Sequence, residues 1–230
     1  MCEETDLSPQ NKIAIQLRLD LERQTSYARE DFIVADCNRA AVAAIDSWPA
    51  WPGGKLAIVG PSGSGKTHLA RAWAAKTAAA TAEIMPGAEP ANAMLVDDAD
   101  RFPEETLFHL VNRADAGSSL LITGRTPPST WVARLPDLRS RLNALTVATI
   151  DTPDDAVLLG VMEKLFVDRN IRPKPGVAEY AVRRIERSVP AVQDLVLRID
   201  EWAGAEKREI TLGLVRRILQ IDDGVFDPLA

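Results

Sequence analysis

The run Gly60-Pro61-Ser62-Gly63-Ser64-Gly65-Lys66-Thr67 has the residue types and spacing of a phosphate-binding loop. Three glycines let successive backbone N–H groups curl around a β-phosphate. Lys66 would bring positive charge to the β- and γ-phosphates. Thr67 would offer a hydroxyl to Mg²⁺, and a helix starting there would add its dipole. Asp97-Asp98 follows at a distance suited to the same chemistry. Asp97 at a strand end could hold Mg²⁺ through water, and Asp98 could orient or deprotonate an attacking water. The alternative for the pair is an acidic loop after a buried strand. Thr123 ends another apolar run and could reach the water at the γ-phosphate as a polar sensor; it could equally be an ordinary strand-end threonine. His68 and His109 lie far apart and offer no metal-ligand spacing.

These residues need elements to hold them. Leu56-Ala57-Ile58-Val59 reads as a short buried strand entering the loop, and the Ala-rich stretch 66–79 as the helix leaving it. Ala93-Met94-Leu95-Val96, Ser119–Thr123 and Leu145–Ile150 read as further strands. Helices are expected at 37–47 and from Glu104 to about Asp115. Alternating strands and helices predict a parallel, doubly wound α/β sheet. The pattern changes at Thr152-Pro153-Asp154-Asp155, which has a hydroxyl for a cap, a proline for the first turn and acids at a helix N-terminus. Helices are expected near 153–170, 175–187, 191–203 and 211–220, making a small all-α lid. The domains predicted are an N-terminal tail, 1–24; a nucleotide-binding α/β domain, 25–151; and the lid, 152–230.

Bulk properties narrow the function. The chain has 230 residues, 46% of them hydrophobic, enough for a sizeable core. A net charge of −6 speaks against a free-standing DNA-binding domain. Cys2 and Cys37 are too few for a disulfide framework, so a cytoplasmic location is expected. The polar, acidic N-terminus is unlike a signal peptide. No apolar run approaches the ~18 residues of a membrane span.

Two further segments stand out. Residues 13–21 alternate apolar and polar with a period of two, as an edge strand of this fold or an extended peptide offered to a partner. The Leu135–Leu142 run carries Arg139 and Arg141 just before the last strand. By spacing alone these are a solvated basic helix end.

Taken together, the motifs resemble the ATPase region of the AAA+ replication initiator DnaA, and more closely its shorter Hda-type relatives. The resemblance rests on Asp31-Phe32-Ile33-Val34 with Asn38-Arg39, the P-loop followed by His68-Leu69, and Asp97-Asp98. It continues through Phe108–Asn112, Leu121–Gly124 with Pro127-Pro128, and the Ser140-Arg141 pair. It implies an AAA+ P-loop fold that takes ADP or ATP with Mg²⁺. Phe32, Ile33, Val34 and His68 would join residues 60–67 in holding the nucleotide, and Thr67 and Asp97 would serve the Mg²⁺. Gln16-Leu17-Arg18-Leu19-Asp20-Leu21 is similar to the motif by which such relatives bind the β sliding clamp of DNA polymerase III. Gln16, Leu17, Leu19 and Leu21 would make that contact. DnaA carries a helix-turn-helix-type domain after its lid; here one helix and an acidic tail are expected instead. DNA would then be reached only through the clamp, no membrane is involved, and a homodimer stays open.

The resemblance implies a regulator that stimulates hydrolysis of DnaA-bound ATP, with Arg141 as an arginine finger acting in trans. The alternatives are a helicase-loader-type ATPase and a self-sufficient ATPase. Two departures from the family pattern bear on hydrolysis. Arg125 stands where relatives commonly carry Asp. Pro190, with Arg187 one turn earlier, stands where the lid carries a sensor arginine. Slow turnover by the isolated chain is therefore expected.

Overall fold

A computed structural model describes residues 27–81, 92–115, 117–206 and 209–222. Helix α1 (Arg39–Asp46) precedes strand β1 (Lys55–Val59). The P-loop then leads into α2 (Lys66–Thr77) and a two-residue strand, β2 (Ala80–Thr81). Next come β3 (Ala93–Val96), α3 (Glu104–Asp115), β4 (Ser119–Gly124), α4 (Pro136–Asn143) and β5 (Thr146–Thr149). Helices α5 (Asp155–Asp168), α6 (Val177–Val182), α7 (Val189–Glu206) and α8 (Leu212–Asp222) complete the order.

Among the described residues all strand pairs are parallel, in the order β2-β3-β4-β1-β5. The alternation of strand side chains builds two cores from one sheet. Leu56, Ile58, Leu95 and Leu121 pack with α1 and α2 through Val42, Leu69 and Trp73. Ala57, Met94, Leu120 and Ile122 pack with α3 and α4 through Leu107, Val111 and Leu138. Near-continuous apolar strands follow from this two-sided burial. The connection from β4 to β5 crosses β1, so the carboxyl ends of β1 and β4 open at a point where the chain changes direction across the sheet. That crevice is where doubly wound sheets bind ligands.

The last four helices share a third core, including Leu158, Met162, Phe166, Val192, Ile199 and Ile218. Four expectations shift here. The cap of α5 is Asp154, whose Oδ1 accepts from Val157 N at 2.9 Å, rather than the hydroxyl of Thr152. Pro153 precedes the helix, and its carbonyl accepts from Arg187 Nε at 3.3 Å. Helix α6 spans six residues, short of the expected 175–187, and α7 begins at Val189, two residues early. Pro190 fits that first turn because it needs no N–H there. β2 was not legible, since two residues carry no periodicity. Residues 13–21, and with them Gln16, Leu17, Leu19 and Leu21, lie outside the described residues. No described helix is long and apolar enough to cross a membrane.

Candidate nucleotide site

β1 ends at Val59, paired with Gly124 of β4, and Gly60 N donates to Gly124 O at 3.2 Å. The loop therefore leaves the sheet already fixed against β4. A Cβ on Gly60 would fall 2.1 Å from Ile150 O, so only glycine lets the chain pass this close to β5. Gly63 (φ 73°) and Gly65 (φ 97°) take left-handed conformations that turn the loop into α2. Pro61 and Ser62 are exposed. Ser64 is buried, and its Oγ has no hydrogen-bond partner among the described residues. An orphaned buried hydroxyl inside a glycine cradle fits a phosphate ligand.

Lys66 is 6% exposed and donates to Gly60 O at 2.9 Å and Pro61 O at 2.8 Å. Burial pushes its ammonium below the ordinary lysine range, and the charges of Asp98 and Asp97 offset part of that shift. Thr67 Oγ1 donates to Asp97 Oδ1 at 3.2 Å, and Thr123 Oγ1 donates to the same oxygen at 2.7 Å. Asp97 is thus held between the P-loop helix and β4, next to the hydroxyl suited to Mg²⁺. Asp98 adopts φ 50°, and its N–H donates to Thr123 Oγ1 at 2.8 Å. Its carboxylate lies 3.6 Å from Arg101. Thr123 is fully buried. In this geometry its hydroxyl positions Asp97 and the Asp98 backbone.

A cavity of about 850 Å³ opens beside the loop between the sheet layer and the last four helices. Phe32, Ile33 and His68 line it from one side, and Val161, Val189 and Leu197 from the other. Its size and apolar walls suit a nucleoside. His68 packs edge-on to Phe32 and Tyr27, with Nε2 3.1 Å from Ala28 O, which staples the 27–32 segment onto α2. Asn38, 2% exposed, donates to Ile33 O at 2.9 Å and accepts from Ala35 N at 3.0 Å, fixing the next turn. Val34 is exposed and lies outside the cavity lining.

The far helices reach the loop directly. Val189 N donates to Gly63 O at 3.1 Å, and a Cβ on Gly63 would sit 2.7 Å from Ser188 Cβ and 3.0 Å from Pro190 Cδ. Pro190 thus lies on the phosphate loop. Arg187 turns away and pairs with Asp155 at 2.9 Å. The sequence held no local signal for the Val189–Gly63 contact, because it joins residues 126 positions apart.

Arg141 belongs to the other end of the sheet. It ion-pairs with Asp115 and with Asp137 at 3.1 Å, and Asp115 also pairs with Lys55, the first residue of β1. The P-loop follows the last residue of β1, about 13 Å away along a strand rising ~3.3 Å per residue. Arg139 donates to Ala133 O at 2.7 Å and is committed within its own turn.

No family model matches the chain. Over 229 residues it is 23% identical to DnaA of Cutibacterium acnes, covering 84% of this chain and 46% of that protein. It is 24% identical over 186 residues to an uncharacterized protein of Haemophilus influenzae, covering 71% of this chain and 80% of that one. The chain spans about half the length of the DnaA relatives it matches. Domain III of Thermotoga maritima DnaA superposes with a TM-score of 0.73 at 18% identity, over 86% of this chain and 97% of that domain. A DnaA bound to AMPPCP and single-stranded DNA gives 0.62 at 17%, over 80% and 69%. The RuvB Holliday junction branch migration motor of T. maritima gives 0.64 at 16%, over 85% and 72%. Similar to DnaA in sequence, the chain has a DnaA-like AAA+ fold.

Proposed function

We propose that this chain is a nucleotide-bound regulator of the Hda type, tethered to the β sliding clamp, that stimulates hydrolysis of ATP held by DnaA. The observation that carries this reading is the separation of its two functional ends. The P-loop and the cavity lie at the carboxyl edge of the sheet, whereas Arg141 lies at the amino edge and cannot reach its own phosphates. A guanidinium on an outer face, clear of its own nucleotide, is suited to a neighbour's site.

ADP or ATP would be held by residues 60–67, with Phe32, Ile33 and His68 on the nucleoside. Thr67 and Asp97 would serve Mg²⁺, and residues 152–230 would form the lid. Mg²⁺, once bound there, would supply positive charge that offsets the charge of the phosphates. The chain's own residues do the rest. The loop amides orient the phosphates, Asp97 is fixed by two hydroxyls, and Asp98 sits at the strand end where water would be aligned. Pro190 on the phosphate loop and Arg187 turned toward Asp155 support slow hydrolysis at this site.

The test is hydrolysis of DnaA-bound ATP in the presence of clamp loaded on DNA, with and without this protein. Acceleration that depends on the clamp is the expected result; none at all overturns the proposal. A self-sufficient ATPase is favoured by the intact Thr67–Asp97–Thr123 arrangement alone. Turnover of tens per second without partners would establish it instead, since ~1–10³ s⁻¹ is the range of assembled catalytic sites.

A further inference from the structure

The phosphate site has a second cation that its motifs do not account for. β4 ends at Gly124, whose carbonyl takes the N–H of Gly60, and Arg125 is the next residue. It therefore leaves the sheet at the first residue of the P-loop, two positions beyond the threonine that holds Asp97. Its backbone N–H lies 3.4 Å from Asp100 Oδ2, which fixes the turn. Its side chain is exposed and makes no hydrogen bond or ion pair among the described residues. Even so, its charge is felt at the Lys66 ammonium, together with those of Asp97, Asp98 and Asp100.

Among the described residues, the other cations nearby are engaged elsewhere. Arg101 is taken by Asp98 at 3.6 Å, and Arg187 by Asp155 and the Pro153 carbonyl. The start of α7 meets the loop with Ser188, Val189 and Pro190, none of them charged. The γ end of a nucleotide in a P-loop faces the ends of the strands that carry the metal and water-orienting residues, here β3 and β4. A free guanidinium at that end, with donors matched to phosphate oxygens, suits a terminal phosphoryl group.

We propose that Arg125 is a γ-phosphate ligand of this chain's own nucleotide site, so that Arg125 sets the discrimination between nucleoside triphosphate and diphosphate. This rests on the nucleotide site proposed above. A diphosphate ends short of Arg125, whereas a triphosphate adds the oxygens its guanidinium binds. Discrimination thus comes from the strand layer and not from the helices that cover the loop.

Calorimetry of the full chain with Mg²⁺ and either AMPPCP or ADP tests the assignment. Arg125→Ala is expected to weaken AMPPCP by about ten- to a hundredfold, the value of a hydrogen bond to a charged group, and to leave ADP within about twofold. Arg125→Lys keeps the charge and loses the fork, so it should recover part of the AMPPCP affinity and none of the geometry. Equal losses for both nucleotides, or no change for either, overturn the role of Arg125 while the nucleotide site stands. A wild-type chain that binds neither nucleotide overturns both.

Discussion

In the proposed nucleotide site, Lys66 shows how a single side chain would be prepared for a ligand. It is buried, held by two loop carbonyls, and its positive charge is disfavoured by burial while being supported by Asp98 and Asp97. Phosphate oxygens would replace the carbonyls as stronger, charged acceptors. Lys66→Ala is expected to weaken ADP binding by on the order of 1.5–3 kcal/mol, and calorimetry giving equal affinities would refute this. Arg141 poses the opposite problem, since Asp115 and Asp137 already neutralise it at about one-third exposure. In the finger role proposed for it, docking on a neighbour's nucleotide would have to draw it from these carboxylates. A transition state that spreads charge over the γ-phosphate can do so where a ground state does not. Arg141→Ala is expected to keep the fold and own-nucleotide binding. It should lose stimulation of DnaA–ATP hydrolysis by about a thousandfold to a hundred-thousandfold, if the finger carries the whole effect. Arg141→Lys should fail largely as well, and normal stimulation by either variant would place the finger elsewhere. Of these residues, the P-loop was legible because its chemistry is local and its spacing fixed. The carboxylate partners of Arg141 were not, because Asp115 comes from a different helix and nothing in its own surroundings marks it.

At the scale of elements, the strand–loop–helix unit could be read because a continuous apolar run and an Ala-rich helix flank the glycines. The helices after residue 152 could be counted because no strand pattern of comparable strength interrupts them, but their ends could not be placed. Thr152 offers a hydroxyl one position before proline, yet the structure uses the Asp154 carboxylate, two residues on. An anionic oxygen beside a helix N-terminus gains from the dipole as well as from the hydrogen bond, and Pro153 is free to precede it. Asp154→Ala is accordingly expected to destabilise the chain by about 1 kcal/mol, whereas Thr152→Ala should be nearly silent. Equilibrium denaturation with urea measures both, and a reversed order would return the cap to Thr152. Position 63 carries a related lesson. Its glycine is needed for the loop turn, but also because Ser188 and Pro190 lie where a side chain would go. The motif explains the first requirement; only the packing of α7 onto the loop explains the second.

For the whole molecule, the cavity is the place where separately cored layers meet. The last four helices have a core of their own. They touch the sheet layer around the cavity through Val189 on Gly63, Gly160 against Ile33, and the ion pair of Lys164 with Asp31. The proposed clamp attachment belongs to this scale too. Replacing Gln16, Leu17 and Leu21 with Ala is expected to abolish clamp binding in a pull-down and leave nucleotide binding intact; unchanged capture would make residues 13–21 a strand of the fold. The last prediction concerns how a nucleotide joins the layers. A ligand seated between them contacts both, so it binds the native arrangement and has no comparable site in the unfolded chain. Its stabilisation then follows mass action, about 2.7 kcal/mol at a free concentration a hundred times Kd. For a chain of this size each kcal/mol moves Tm by about 2–4 °C, so Mg²⁺–ADP at that concentration should raise Tm by roughly 5–10 °C. The rise should appear as one transition moving as a whole, because the helices and the sheet share the ligand. Lys66→Ala at the same ADP concentration should show a much smaller rise. Scanning calorimetry distinguishes the outcomes. A transition that splits, with only the sheet layer shifting, would mean that the ligand sits on the P-loop without engaging α5 and α7. No shift for the wild type at saturation would mean that the cavity is not its site.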